Sequence, residues 1–323
     1  MKVSVVVTAY NHVRFMARAL DSVLEQDATF DWEVIVGDDC SQDGTRDVIR
    51  DYERRHPALI RTVFPTRNLG AAGRDLFVET LRESQGRFIA MLDGDDYWTA
   101  PDKLRRQVDF LDAHPECSMC YHNVLVLRED GAAPPAPSLP PGHPPFSETK
   151  DLLWTCFIPS CSPMVRREVV EKLPPWYLAT PWADYALYVL ASEYGRLGYI
   201  DDVMGVYRIH AGGVWSGLDR AARIHGVLRS VETLGEGIRR RHRRTIRQIR
   251  AYQHYKLARL HVERGDTRPA IHSLLTSLWL DPGATGAGRH RLMRLAWRIA
   301  RCAAAATRTA VLSRSEHPRQ PAP

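Results

Sequence analysis

Three carboxylates within four positions, Asp93-Gly-Asp-Asp96, follow the apolar run Phe88-Ile-Ala-Met-Leu92. Held that close, they ionise together only when something positive lies among them, and a divalent cation supplies that charge. An all-oxygen donor set suits a hard cation, Mg2+ or Mn2+, which bridges carboxylates to phosphate oxygens, whereas zinc would bring His or Cys into the group. Gly94 permits a sharp turn and close approach of a ligand to the backbone. A solvated turn before a helix accounts for Asp102, just after Pro101, better than for the triplet. A second acidic pair, Asp38 and Asp39, ends another apolar run, and Asp38 reads as a strand-end or turn residue rather than a direct ligand. Six cysteines without a secretory leader point to reduced thiols. Cys117-Ser-Met-Cys120 reads as part of a strand with small core residues, not as half of a zinc site completed by Cys156 and Cys161.

Such side chains meet only if the elements that carry them do. Short β-branched runs alternate with helical spacing: Val3 to Thr8 precedes a helical pattern over Val13 to Gln26, and Trp32 to Val36 precedes one from about Thr45 to Arg55. Ile60 to Phe64 is followed by Leu76 to Ser84, and Arg87 to Leu92 by Lys103 to Ala113. Unbroken apolar strands predict an α/β fold with a Rossmann-like, mostly parallel sheet buried on both faces and flanked by helices. Sheets of that kind bind ligands beyond the carboxyl ends of their strands. The residues there are the polar ones: Thr8, Ala9, Tyr10 and Asn11, then Asp38 and Asp39, then Asn68 and Gly70, then Asp93 to Asp96.

The composition, 44% hydrophobic and 25% charged over 323 residues, is that of an ordinary globular protein of one large or two medium domains. No run approaches the ~18 apolar residues needed to cross a bilayer, and the expected setting is cytoplasmic. Gly131 to Pro145, rich in Pro, Ala and Gly, reads as a mobile surface loop, a lid or an insertion. Past Ser216 the pattern becomes helical and Arg-rich, and Tyr255 to Pro282 resembles one tetratricopeptide unit, read as a helical hairpin packed on its neighbours. Arg291, Arg294, Arg298 and Arg301 recur beside Leu292, Leu295, Ile299 and Cys302, with Trp297 close by. Two readings stay open: a basic helix lying peripherally on an anionic membrane at its inner face, or an apolar stripe packed on the hairpin around Leu274 to Leu280. Nucleic acid is not an expected partner, because the basic residues lack interleaved aromatics.

Taken in order, Val3-Ser-Val-Val-Val-Thr-Ala-Tyr-Asn11, Val34-Ile-Val-Gly-Asp-Asp-Cys-Ser-Gln-Asp-Gly-Thr45, Asn68-Leu-Gly70, Ala90-Met-Leu-Asp-Gly-Asp-Asp-Tyr-Trp98 and Pro101-Asp-Lys-Leu104 resemble the family 2 glycosyltransferases of GT-A fold. The resemblance implies a GT-A domain over 1–215, leaving a helical C-terminal region over 216–312 and a disordered tail over 313–323. It implies a nucleotide-sugar donor, with Thr8, Ala9 and Tyr10 lining the base pocket beside Asn68, and Asp39 accepting from base or ribose. A core aromatic is the alternative for Tyr10. Asp93 and Asp95 would contact ribose or sugar, and Asp95, Asp96 and His210 would hold Mg2+ or Mn2+ on the diphosphate. Pro181-Trp-Ala-Asp-Tyr-Ala-Leu-Tyr188 is similar to the segment carrying the catalytic base, which makes Asp184 the candidate; helix capping is its alternative. Ile158-Pro-Ser-Cys-Ser-Pro-Met-Val-Arg-Arg-Glu168 looks like the segment beneath the acceptor, and Tyr207-Arg-Ile-His210 with Gly212-Gly-Val-Trp215 like the closing one. Where many members carry an Asn near the next helix, Gly73-Arg74-Asp75 stands here, and Arg74 reads either as a phosphate ligand or as a surface arginine.

The implied reaction is inverting transfer to a hydroxyl of a glycan or lipid-linked acceptor. A nucleotidyltransferase would want a Gly-rich, lysine-containing phosphate loop after the first strand, which is missing. A non-catalytic scaffold acting through the helical region is the other alternative, and the intact set of Asp93, Asp95, Asp96 and Asp184 counts against it.

Overall fold

The computed structural model describes residues 1–70, 73–238, 240–283, 297 and 299. Its first half alternates: β1 (Val3–Ala9), α1 (Met16–Leu24), β2 (Trp32–Asp38), α2 (Thr45–Arg55), β3 (Ile60–Val63), α3 (Arg74–Glu83) and β4 (Phe88–Asp93). Next come β5 (Tyr97–Trp98), α4 (Lys103–Ala113), β6 (Cys117–Arg128), β7 (Ala136–Pro137), β8 (Phe146–Ser147), α5 (Thr149–Trp154) and β9 (Met164–Arg166). After these follow α6 (Arg167–Val170), α7 (Pro175–Ala179), α8 (Ala183–Tyr194), β10 (Arg196–Ile209), α9 (Arg220–Gly237), α10 (Arg243–Arg264) and α11 (Thr267–Leu280). The expected strands and helices of the first half are all present, and α3 starts two residues earlier than its apolar pattern suggested, at Arg74 after left-handed Gly73.

The sheet runs β3-β2-β1-β4-β9-β6-β10-β5, with β7 on β6 and β8 on β10. β3, β2, β1 and β4 are parallel, whereas β9 lies antiparallel between β4 and β6, and β10 is parallel to β6. Val3, Val5, Val6 and Val7 are at most 1% exposed, as an interior strand covered on both faces requires. On one face Val5, Val7, Val34, Val36 and Ala90 pack with Met16, Leu20 and Val23 of α1 and Ile49 of α2.

A polar knot ties the opposite strand ends. Buried Glu33 accepts hydrogen bonds from Ser4 Oγ at 2.6 Å, the Gln85 amide at 2.6 Å and Arg61 at 2.7 Å. Burial works against its ionisation, but these donors outweigh it and hold the carboxyl below its usual range. Lys103 is fully buried with its Nζ 3.6 Å from the centre of the Trp98 ring, and burial draws it down to about 7.

The proline-rich stretch over 131–145 is more fixed than a mobile loop. Asn123 exchanges hydrogen bonds of 3.0 Å with the backbone of Leu139, whose side chain is buried, and His143 Nε2 lies 2.8 Å from the Tyr121 hydroxyl. Polar groups on β6 therefore pin a segment whose composition lacks regular structure.

By contacts the chain forms two compact units: Met1–Leu218 with Thr233–Arg239, and a second taking Asp219–Glu232 and the chain from Arg240. In the second, α10 and α11 lie together, and Tyr255, Ala258, Val262, Ala270, Leu274 and Ile299 share a core. The basic positions Arg291, Arg294, Arg298 and Arg301, their neighbours Leu292, Leu295 and Cys302, and the 313–323 tail lie outside the described residues.

Gly86 sits where a Cβ would lie 2.2 Å from Ser4 N and 2.5 Å from Val3 C. Backbone atoms of an interior strand cannot yield, so Gly86→Ala is expected to destabilise the fold by about 1–3 kcal/mol or more. A urea midpoint matching that of the unsubstituted chain would show that β1 and this turn can separate without cost.

Candidate active site

β1, β2 and β4 end side by side, with Ala9 opposite Asp38 and Thr8 opposite Asp93. The loops that leave β1 and β2 are stitched together. Asn11 N–H donates to Ser41 Oγ at 2.8 Å, Gln42 N–H to Asn11 Oδ1 at 2.9 Å, His12 N–H to Thr45 Oγ1 at 2.8 Å, and Val13 N–H to Asp43 Oδ2 at 3.0 Å. The same loops contain the only two non-glycine residues with positive φ among those described, Asn11 at 56° and Cys40 at 61°. Strain of this kind persists where surrounding bonds over-determine the backbone, and it marks functional loops.

Of the acidic pair after β2, Asp38 is fully buried and bound to Arg46 Nε at 2.9 Å, which makes it the structural residue expected. Asp39 accepts from the amides of Leu69 at 2.6 Å and Gly70 at 3.2 Å, while Asn68 Nδ2 donates to the Asp39 carbonyl at 2.7 Å. Asp39 and Asn68 thus form one latch holding the loop after β3. Tyr10 is 48% exposed, which rules out the core-aromatic alternative and leaves a ring face to solvent; Ala9 is buried.

The three carboxylates after β4 occupy different environments. Asp93 accepts from Thr8 Oγ1 at 2.9 Å and from the Ser160 hydroxyl, yet burial, and after it the charge of Asp95, pushes it up to about 6. Burial also works against Asp95, but His210 Nε2 lies 2.9 Å from its Oδ2 and His12 Nε2 lies 3.8 Å away, and their attraction holds it below the usual range. Asp96 is buried and accepts from the Arg208 amide at 2.7 Å through Oδ1, while its Oδ2 has no partner at good hydrogen-bond geometry and only the weak Cys161 thiol donor beside the carboxyl. Burial first, then the charges of Asp95 and Asp93, drive its pKa well above normal.

Among the described residues two overlapping groups could hold a cation: Asp93, Asp95 and Asp96, and His12, Asp95 and His210, with the donor atoms of each group within 4.8 Å of one another. Weakly partnered Asp96 Oδ2 and the poorly compensated charge on Asp93 fit a bound dication. Asp96, expected to hold the cation, is also a buried anchor for β10, because its Oδ1 is committed to the Arg208 amide.

Asp184 stands in the first turn of α8, after the N-cap Trp182, so it is not the capping residue. Its Oδ1 accepts the Tyr185 amide at 2.7 Å, but burial still raises its pKa, and its charge acts on Asp93. Arg74 donates to the Thr180 carbonyl at 2.6 Å and to Asp75 at 2.8 Å, tying α3 to the segment just before α8. His12 and Ser160 were not singled out from sequence. His12 does follow Tyr10 and Asn11 in the loop after β1, but no spacing rule relates it to Asp95 or His210.

Both Asp93 and Asp96 have pKa values raised above those of the unfolded chain, so in metal-free protein their ionisation opposes folding. The penalty is absent well below about pH 4, where both states are protonated, grows as pH rises from the unfolded to the folded values, and levels off above them. Asp96→Asn keeps an acceptor for the Arg208 amide and removes one charge. Metal-free Asp96→Asn is therefore expected to melt above the unsubstituted protein at pH 7.5, with the gap narrowing towards pH 4.5. Calorimetry in chelator checks this, and a gap that does not change with pH would contradict a strained carboxylate.

The family described as glycosyl transferase family 2 matches residues 4–173. Among relatives, the Bacillus subtilis protein TuaG, named for glycosyl transfer in teichuronic acid biosynthesis, is 31% identical over 224 residues, covering 68% of this chain and 84% of its own. Staphylococcus aureus TarS 1-349 in complex with UDP-GlcNAc superposes with a TM-score of 0.63 at 19% identity, over 91% of this chain and 84% of that one. Mannosyltransferase PcManGT from Pyrobaculum calidifontis, in complex with GDP-Man and Mn2+, gives a TM-score of 0.58 at 22% identity over 95% and 80%. These two share the GT-A fold with this chain. With a family match over more than half its length and the carboxylate cluster at the strand ends that its motifs foretold, the chain belongs to glycosyl transferase family 2 and is a glycosyltransferase.

Proposed function

We propose that this glycosyltransferase moves a sugar from a nucleoside-diphosphate donor to a hydroxyl of a glycan or lipid-linked acceptor, with inversion, Asp184 acting as general base. The supporting observation is Asp184 itself: a lone carboxyl at the start of α8, raised in pKa by burial and acting electrostatically on Asp93. A general base works best with a pKa lifted towards the operating pH. The acceptor oxygen attacks the anomeric carbon as the bond to the diphosphate oxygen breaks, and its proton passes to Asp184. One displacement inverts the configuration; a two-step route needs a second positioned carboxylate as nucleophile.

Tyr10 offers its exposed ring to the base beside Thr8, Asp39 and the Asn68 loop close the nucleoside side, and Asp93 faces the ribose or sugar. A divalent cation, Mg2+ or Mn2+, on Asp95 and His210 would neutralise charge on the departing diphosphate. A glycan acceptor is supported by Trp182 and Trp215, whose rings meet edge to face at 4.8 Å beside the start of α8, because sugars pack well on such aromatic surfaces. TarS and PcManGT, in complexes with a UDP-sugar and a GDP-sugar, set the panel of donors to try.

Asp184→Asn is expected to slow transfer by about a hundredfold or more while donor affinity stays nearly unchanged. The acidic limb of the rate profile should lie above the ordinary carboxylate range and vanish in the variant. An equal loss of donor affinity would place Asp184 in the nucleotide pocket and remove its role as base.

A membrane-bound acceptor is supported by the second unit. From residue 219 onward the chain has 22 Lys and Arg against 7 Asp and Glu, whereas residues 1–218 have 22 against 31. Exposed Ile271, Leu275 and Trp279 recur along α11, with Trp279 84% exposed and Arg268 on the same side. Ile299 is buried in the hairpin core, as packing of that part of the tail requires, so we assign the membrane face to α11, with an anionic lipid surface as its occupant. The protein is expected to sediment with phosphatidylglycerol vesicles at low salt, and to stop doing so when Leu275→Glu and Trp279→Glu are combined. Equal sedimentation of both forms overturns the assignment, and self-association lost in the double variant would mark the stripe as a contact between copies.

A further inference from the structure

We infer that His12 is a ligand of the cation held by Asp95 and His210, and that the resulting set of two imidazoles and one carboxylate makes the site prefer Mn2+ to Mg2+. This deepens the reading of Asp95 and His210 as the cation site, and it rests on that reading.

The geometry comes from three separate parts of the chain. His12 follows β1, Asp95 follows β4 and His210 follows β10. His210 Nε2 and His12 Nε2 approach the same oxygen, Asp95 Oδ2, at 2.9 Å and 3.8 Å, and the donor atoms of all three residues lie within 4.8 Å of one another. A cation bound at about 2.1 Å separates neighbouring donors by roughly 3 Å and opposite donors by roughly 4 Å, so small adjustments suffice. The imidazole rings stand edge to face with centroids 6.2 Å apart.

Two features fix the His12 ring. Its backbone amide is held by Thr45 Oγ1 at 2.8 Å, and its Nδ1 is buried without a partner, so Nε2 is the nitrogen with a polar target. Gly94 makes the space: a Cβ there would lie 3.1 Å from His12 Nδ1 and 2.9 Å from Met16 Sδ. The glycine within Asp93-Gly-Asp-Asp96 thus admits the ring that completes the donor set.

The donor chemistry carries the preference. Mg2+ holds its waters and favours oxygen ligands, whereas imidazole nitrogen suits the first-row transition dications. An all-oxygen site formed by Asp93, Asp95 and Asp96 would show no such bias, and Asp96 has already committed one oxygen to the Arg208 amide.

Titration of the full chain with Mn2+, followed by the electron paramagnetic resonance of the free ion and repeated in competition with Mg2+, reads affinity without turnover. Mn2+ is expected to bind at least about tenfold more tightly than Mg2+. His12→Gln should lose about tenfold or more in Mn2+ affinity and change Mg2+ affinity little, as expected for loss of a nitrogen ligand. Spin-echo modulation of bound Mn2+ counts its nitrogen ligands: two imidazoles in the unsubstituted protein and one in His12→Gln. A single nitrogen in the unsubstituted protein, or an unchanged Mn2+ to Mg2+ ratio in a folded His12→Gln, overturns the inference, and the first decides the matter even if the variant fails to fold. Calorimetry with UDP in chelator is run alongside, so failure of the nucleotide-sugar reading registers separately from failure of the ligand assignment.

Discussion

Within four residues of the end of β4 the chain must accommodate three carboxylates in surroundings that penalise every charge. Each is accommodated by a different device. Asp95 keeps its charge because two imidazoles face it; Asp93 keeps a proton until about pH 6, although two hydroxyls donate to it; Asp96 sinks into the protein and binds a backbone amide of β10. Together these arrangements leave a deficit of positive charge at one point. A deficit of that kind is what a bound dication would balance, and any ligand that binds only the folded state adds to its stability.

The rest of the N-terminal unit serves to keep that point in place. Parallel strands β1, β2 and β4 bring Thr8, Asp39 and Asp93 to one edge, and the bonds between the loops after β1 and β2 hold Asn11 and Cys40 in conformations they would otherwise avoid. β10, far along the chain, returns with Arg208 for Asp96 and His210 for Asp95. The antiparallel β9 extends the sheet from β4 to β6 and so sets where β10 can lie. Asp184 arrives by another route, on α8, which Arg74 ties to α3 through the Thr180 carbonyl.

Charge is divided sharply along the chain. The acidic excess lies in residues 1–218 with the catalytic cluster, and the basic excess lies beyond them. Fields of opposite sign favour partners of opposite charge, so the two parts of the chain differ in the long-range electrostatics they offer. Solved structures at about 20% identity share the fold over most of the chain, so the fold tolerates wide sequence change.

Much of this was legible in the sequence because it is local. Two-residue and 3.6-residue periodicities need only near neighbours, so the strands and helices up to Ala113 could be placed within a few residues, and Asp93 to Asp96 were recognisable as a cation cluster by composition alone. Tertiary structure decided what depends on distant neighbours. That Asp96 is tied to Arg208 turns on a residue in β10, and whether His12 is an ordinary loop residue or a partner of Asp95 turns on the packing of loops that leave neighbouring strands but lie far apart in the chain. The proline-rich segment over 131–145 carries no pattern that announces its anchors, since these are supplied by Asn123 and Tyr121 on β6. Burial and ionisation are properties of surroundings, and surroundings are assembled only when the chain has folded.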